Sequence, residues 1–304
     1  MKREVIKLKN DFEDTLYGIA WTCNKPKANV MIFTGMQETA SRYDDFAKFL
    51  NENHYDVYCL DHYGQGLNIK DGDVRGLWPD SGFSKQVKTF GQLEVELKNT
   101  GLPTYIFAHS MGSFMAQEYI QRFHTRVNKT VICGSDYANP FLMKFAYLLS
   151  LCMVNKKNQD LPNKTLAKLV TGNFAKAIKN RKTDFDWLSY NTDNVKRYID
   201  DPKCGFIATG RFYREFLKGM ARISKKMFLR KVRRTTPIFI IAGVEDPVGH
   251  MGKGPMKLEK VYKSYGLKNV KLKLYPNMRH EILNENNNRE VYKDILEFFD
   301  KEDK

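Results

Sequence analysis

No stretch of the 304 residues is long enough and uncharged enough to span a bilayer as a helix. Cysteine is sparse and scattered. Cys23, Cys59, Cys133, Cys152 and Cys204 lack metal-ligand spacing, and their odd number argues against a disulfide framework. Reduced thiols in a cytoplasmic chain are the expectation, with Cys133 in the interior of a strand. Met1-Lys2-Arg3-Glu4 is charged but has no apolar run behind it, so no signal peptide is expected. Internal repeats and low-complexity tracts are missing too.

Positive charge is abundant, with a net formal charge of +15. A solvated, lysine-rich surface accounts for it. The functional alternative is peripheral attraction to an anionic membrane, such as the inner membrane surface. Nucleic acid is a weaker partner. Residues 222–234 hold seven Lys and Arg, yet no aromatic stacking platform or recognition module accompanies them.

Apolar runs place strands over residues 5–9, 16–23, 29–33, 55–60, 104–108, 129–133, 236–242 and 270–275. Helices are expected over 41–51, 84–99, 112–122, 255–265 and 289–301, with Gly101 a stop for the second. Such alternation gives an α/β fold, a mostly parallel eight-stranded sheet covered by helices. The first two strands, with no helix between them, read as an antiparallel edge hairpin. The alternation breaks after Ser135. Residues 137–235 are too long for a loop and helix-rich, so they read as a cap inserted into a core of residues 1–136 and 236–304. Residues 141–154 are apolar all round. They fit a helix buried between cap and core, or the wall of an acyl-chain tunnel partly exposed for membrane docking. Lys156 and Lys157 follow, at a solvated helix end or facing lipid phosphates.

Ser110 carries the chemistry. It follows the apolar run Thr104-Tyr105-Ile106-Phe107-Ala108 and precedes a helical segment, the strand–turn–helix setting of a nucleophile elbow. The usual pattern is Gly-x-Ser-x-Gly, and Ala108 stands at the first Gly. A nucleophilic Ser needs a base and an acid, in the order Ser, acid, His. His54 and His62 precede Ser110, His109 adjoins it and His124 ends the helix behind it. His250 lies only four residues beyond the best acid. His280, in a loop after the strand at 270–275, is the candidate base. Asp246, after the buried strand at 236–242, is the candidate acid, with Glu245 the competitor. An oxyanion needs two donors. The N–H groups of Met36, beside Gly35, and Met111, at a helix start, are the candidates, each worth about 2.7–4 kcal/mol in the transition state. No metal or organic cofactor enters this chemistry.

These segments together resemble the monoacylglycerol lipase/lysophospholipase group of α/β-hydrolases, often labelled serine aminopeptidase-like. The group's His-Gly-x-x-Glu-x-x-x-Arg-Tyr stretch is similar to residues 34–43, with Gly35, Glu38, Arg42 and Tyr43 matching and Thr34 replacing the His. Asp-x-Arg-Gly-x-Gly is similar to residues 61–66, with Tyr63 replacing the Arg. Gly243, Asp246-Pro247-Val248 and His280-Glu281-Ile282-Leu283-Asn284-Glu285 match the acid and base segments. Phe185-Asp186-Trp187-Leu188-Ser189, Asp201-Pro202 and Cys204-Gly205-Phe206 resemble bacterial members. The resemblance spans residues 15–300. It implies the α/β-hydrolase fold and cleavage of a lipid monoester, either monoacylglycerol or lysophospholipid.

Three other readings stay open: a short-chain carboxylesterase, an acyltransferase or peptidase on the same three residues, and a non-catalytic lipid-binding protein. Glu38 and Arg42, four apart, are expected to form a helix-start ion pair. Asp61, Gly64 and Gly66 are expected to shape a turn, and Tyr43 to fix a loop. Trp187, Phe206, Phe212, Tyr213 and Phe216 read as cap core or as substrate lining.

Overall fold

The computed structural model describes residues 1–70, 72–123 and 127–301. Its strands are β1 (Lys2–Lys9), β2 (Thr15–Thr22), β3 (Ala28–Phe33), β4 (Tyr55–Leu60), β5 (Thr104–His109), β6 (Lys129–Cys133), β7 (Ile238–Gly243) and β8 (Val270–Tyr275). They form one sheet in the order β1-β2-β4-β3-β5-β6-β7-β8. β1 and β2 make the expected antiparallel edge, β2 meets β4 antiparallel, and every later pair is parallel.

Every residue of β3, β6 and β7 is buried, as expected of strands covered on both faces. Alternate side chains feed different cores. Met31, Phe33, Ile106 and Ala108 pack beneath helices α2 (Gly82–Leu97), α3 (Met111–Arg122) and α7 (Gly210–Ile223). Val30, Ile32, Phe107, Val131 and Phe239 face α1 (Asp44–Glu52) and α10 (Arg289–Asp300) on the other side. The helix expected at 41–51 is split, with a short 3₁₀ turn at Ala40–Tyr43 preceding α1. The expected stop at Gly101 holds, with Gly101 at φ 72° closing a 3₁₀ turn after α2. His124 lies outside the described residues.

Between β6 and β7 the chain forms α4 (Pro140–Met153), α5 (Lys164–Thr171), α6 (Thr192–Asp200), α7 and α8 (Lys226–Leu229). α9 (Lys253–Ser264) then leads to β8. Asn139 caps α4 by accepting hydrogen bonds from the amides of Phe141 (3.0 Å) and Leu142 (3.2 Å), and Pro140 occupies the first turn. α4 corrects one expectation. It is not buried between insertion and core, because Ser150 is its one fully buried residue among the described ones. Phe141 is 85% exposed and Phe145 66%. Its inner side packs on α7. Among the described residues no helix is long and apolar enough to cross a membrane.

The order β4-β3-β5 means that the chain turns to one side of β3 and then crosses to the other. In an open parallel sheet, the crevice at that reversal, beyond the carboxyl ends of the strands, is where ligands bind. The loop at Gly35 follows β3 and Ser110 follows β5, so both lie at the reversal. The loops carrying Asp246 and His280, after β7 and β8, emerge at the same edge.

Candidate active site

Ser110 sits between β5 and α3 with φ 51° and ψ −121°, a strained conformation for a residue with a side chain. The turn is held from both directions. The Ser110 amide donates to the Cys133 carbonyl at 3.0 Å, and the Ser110 carbonyl accepts from the Ser113 amide at 2.9 Å. Close packing sharpens it further. A Cβ on Gly112 would fall 2.2 Å from the Phe33 carbonyl oxygen, so only glycine lets α3 begin against the end of β3. Ala108 is fully buried in β5.

His280 and Asp246 meet in the loops after β8 and β7. The His280 Nδ1–H donates to Asp246 Oδ2 at 2.9 Å, and both side chains are buried. Asp246 Oδ1 accepts from the Val248 amide at 2.8 Å, which fixes the carboxylate. Because Nδ1 faces a carboxylate it carries a proton, so in the neutral ring the lone pair is on Nε2. That Nε2 is buried and has no hydrogen-bond partner among the described residues. His280 contacts the rings of Trp187, 5.1 Å away, and His109, 4.7 Å away. Gly134, at φ 59°, makes room: a Cβ there would lie 3.0 Å from His280 Cε1. Glu245, the competing acid, instead accepts from the Tyr190 hydroxyl.

Of the other histidines, His109 and His250 line the same cavity as Ser110 and His280, whereas His54 and His62 do not. His54 is exposed on the loop before β4. His62 is buried against the Thr34 carbonyl at 2.9 Å, and burial lowers its pKa to about 4. His250 is exposed and lies 3.2 Å from Asp136.

Met36 and Met111 lie on the cavity that Ser110 and His280 share. Met111 opens α3, where the first-turn N–H groups have no acceptor within the helix. The loop carrying Met36 runs tightly past the serine, since a Cβ on Gly35 would come 3.2 Å from Ser110 Cβ.

Glu38 and Arg42 form more than a helix-start ion pair. They belong to a buried charged cluster that joins three parts of the chain. Arg42 Nε lies 3.4 Å from Glu38 Oε2, and its Nη2 donates to Glu281 Oε2 at 2.5 Å. Asn194, on α6, donates to Glu281 at 2.6 Å and accepts from Arg42 at 3.2 Å. Glu38 also accepts from the Tyr43 hydroxyl at 2.8 Å and the Gly35 amide, and His109 Nδ1 is 3.4 Å away. Burial opposes the charge on Glu38, but His109, Arg42 and Tyr43 outweigh it and hold its pKa down at about 2. The Glu38 carboxylate in turn raises the His109 pKa against the effect of burial. The sequence assigns no role to Asn194 or Glu281. Glu281 is marked by its adjacency to His280 and by its place in the segment that matches the family.

The cavity measures about 1330 Å³. Leu142, Met143 and Ala146 of α4, with Phe206, Tyr213 and Phe216, give it an apolar wall, and Trp187 joins them near His280. Phe212 is the exception among the aromatics singled out in the sequence. It is fully buried and packs on Trp78 at 4.4 Å.

Comparison with known proteins agrees with this architecture. Residues 24–287 match the family described as "Serine aminopeptidase, S33". The chain is 24% identical over 277 residues to a monoacylglycerol lipase of Mycolicibacterium smegmatis, covering 90% of this chain and 89% of that one. It is 22% identical over 284 residues to the phospholipase YtpA of Bacillus subtilis, covering 92% and 98%. A thermostable carboxyl esterase from Bacillus coagulans superposes with a TM-score of 0.90 at 27% identity, over 98% of both chains. The monoglyceride lipase of Saccharomyces cerevisiae shares the fold at a TM-score of 0.76 and 18% identity, over 99% of this chain and 95% of that one. The chain therefore belongs to the serine aminopeptidase, S33 family of α/β-hydrolases.

Proposed function

We propose that the protein hydrolyses carboxylic esters through an acyl-enzyme on Ser110, and that its substrate is a lipid monoester, either monoacylglycerol or lysophospholipid. One observation carries this reading. His280 is bound to Asp246 through Nδ1 while its Nε2 has no partner, and it lines the same cavity as Ser110.

In this mechanism the Ser110 oxygen attacks the ester carbonyl and His280 Nε2 takes its proton. The N–H groups of Met36 and Met111 donate to the oxyanion. His280 then protonates the leaving alcohol, and the acyl group stays on Ser110. A water molecule deprotonated by His280 attacks the acyl-enzyme, the bond to the Ser110 oxygen breaks as His280 returns the proton to that oxygen, and the acid is released. Asp246 holds the imidazole in its tautomer and stabilises the imidazolium that forms in each half of the cycle.

A lipid substrate is supported by the apolar cavity wall and by the relatives named as monoacylglycerol lipase and phospholipase. Residues 137–235 act as a cap whose inner surface holds the acyl chain. The exposed face of α4, with Phe141 and Phe145 beside the exposed Lys144, Lys156 and Lys157, makes peripheral contact with an anionic membrane. The net charge of +15 favours that contact.

The test is hydrolysis of p-nitrophenyl esters of increasing chain length, with monoacylglycerol and lysophosphatidylcholine alongside, by the parent and by Ser110→Ala. Ser110-dependent turnover that is best on the longer lipids is the expected result. A steep fall beyond short chains would make the protein a small-ester carboxylesterase instead. Binding without Ser110-dependent turnover would make it a lipid carrier.

A further inference from the structure

The turn between β4 and α2 contains Gly64-Gln65-Gly66. Both glycines are left-handed, at φ 60° and 52°, while Gln65 between them is extended, at φ −129° and ψ 158°. A side chain fits at neither glycine. A Cβ on Gly64 would fall 2.5 Å from the Leu77 amide nitrogen, and one on Gly66 2.2 Å from the Asp61 carboxylate. Asp61 pins the turn by accepting from the amides of Ala40 at 2.7 Å and Leu67 at 2.8 Å. The result is a rigid turn whose one long side chain, Gln65, is completely buried.

That side chain spans the loop after β3. Gln65 Nε2 donates to the Gly35 carbonyl at 3.2 Å, and its Oε1 accepts from the Gln37 amide at 2.9 Å. The two bonds bracket Met36. In a planar trans peptide the C=O and the N–H point in opposite directions. Drawing the Gly35 carbonyl toward Gln65 therefore turns the Met36 N–H away from Gln65. Gly35 itself lies against Ser110 on the cavity.

The loop needs such a clamp. Gln37 is left-handed at φ 60°, a conformation that a residue with a side chain holds only when its surroundings enforce it. Its carbonyl accepts from the Gly205 amide at 3.1 Å, and its side-chain amide donates to the Tyr213 hydroxyl at 3.1 Å. Gln65 supplies the remaining hold on its N–H.

We propose that Gln65 is a positioning residue that aims the Met36 N–H at the oxyanion formed on Ser110. This rests on the ester-hydrolase reading above. Gln65 touches no substrate; it acts through the backbone of residues 35–37.

Two variants of similar volume test it. Gln65→Glu keeps an acceptor for the Gln37 amide but sets a carboxylate oxygen against the Gly35 carbonyl. Gln65→Met removes both hydrogen bonds. Each is assayed on p-nitrophenyl butyrate and on its thiono analogue, in which a poorly accepting sulfur replaces the carbonyl oxygen. Removing an oxyanion donor costs about 10²–10³ in kcat, so misaiming one should lower kcat on the oxo ester by about tenfold or more. KM should stay nearly unchanged, and the oxo-to-thiono preference in kcat/KM should collapse by a similar factor.

That preference is a ratio, so it does not depend on how much of a variant is folded. An unchanged ratio in both variants would overturn the inference, even if overall activity fell. A parent that neither hydrolyses esters nor reacts with a fluorophosphonate would instead overturn the hydrolase reading beneath it.

Discussion

His280 and Asp246 stand 34 residues apart in the chain and share a 2.9 Å hydrogen bond from which solvent is excluded. The bond is built from two loops that leave neighbouring parallel strands at the same edge of the sheet. It settles which ring nitrogen of His280 carries the proton, and so which one can accept another. Replacing Asp246 with Asn would preserve the shape while favouring the wrong tautomer. Asp246→Asn should lower kcat by about 10⁴-fold, the scale seen when a buried orienting carboxylate is neutralised. Glu245→Gln should leave kcat unchanged, because Glu245 faces Tyr190 and not His280. Steady-state hydrolysis of p-nitrophenyl butyrate by the two variants separates the acids.

Glu38 sits where an uncompensated charge would be costly. Glu38→Gln leaves Arg42 and His109 without one of their buried partners, and breaking such a cluster typically costs about 3–5 kcal/mol. Urea unfolding at neutral pH should register that loss. The pH dependence has a definite sign. Glu38 has a folded pKa of about 2, below the ordinary 4.5, so its contribution is full above about 4.5 and is lost as pH falls toward 2. The stability gap between parent and Glu38→Gln should therefore narrow across that acid range.

Gly112 is the tightest fit in the turn that carries Ser110. Gly112→Ala forces a methyl against the Phe33 and Thr34 carbonyls and should destabilise the fold by about 1–3 kcal/mol or more. Thermal unfolding measures this directly. The residual activity per folded molecule should also fall, since relief requires α3 to move away from β3.

The outer face of α4 should matter for lipid surfaces and not for the fold. Phe141→Ser with Phe145→Ser removes two exposed aromatic groups, each worth about 1.5–3 kcal/mol when fully buried. Sedimentation with anionic phosphatidylglycerol vesicles should show binding at least about tenfold weaker. The melting temperature and the turnover of soluble p-nitrophenyl butyrate should stay at parent values. Equal vesicle binding by parent and double variant would remove α4 from the account.

Much of this was legible in the chain. Strands such as 29–33 and 129–133 are short, mainly apolar runs, and their burial on both faces fits the middle of a parallel sheet. Ser110, Asp246 and His280 could be singled out as candidates because each lies after a strand-like segment, in the order the chemistry uses. The burial of the Glu38–Arg42 pair could not be read. Four-residue spacing looks the same on a solvated helix as in a core, and the deciding partners, Asn194 and Glu281, are distant in sequence. The exposure of α4 was hidden for a related reason. An apolar helix is normally buried, and composition cannot say that the outer side of this one is exposed. Gln65 is an ordinary turn residue in sequence, and only the left-handed glycines around it turn its amide toward Gly35 and Gln37.

The most direct measurement is reaction with a fluorophosphonate probe, followed by peptide mapping of the adduct. A single stoichiometric adduct on Ser110 is expected, with the rate collapsing in His280→Ala. An adduct on another residue, or none on a folded protein, would contradict it.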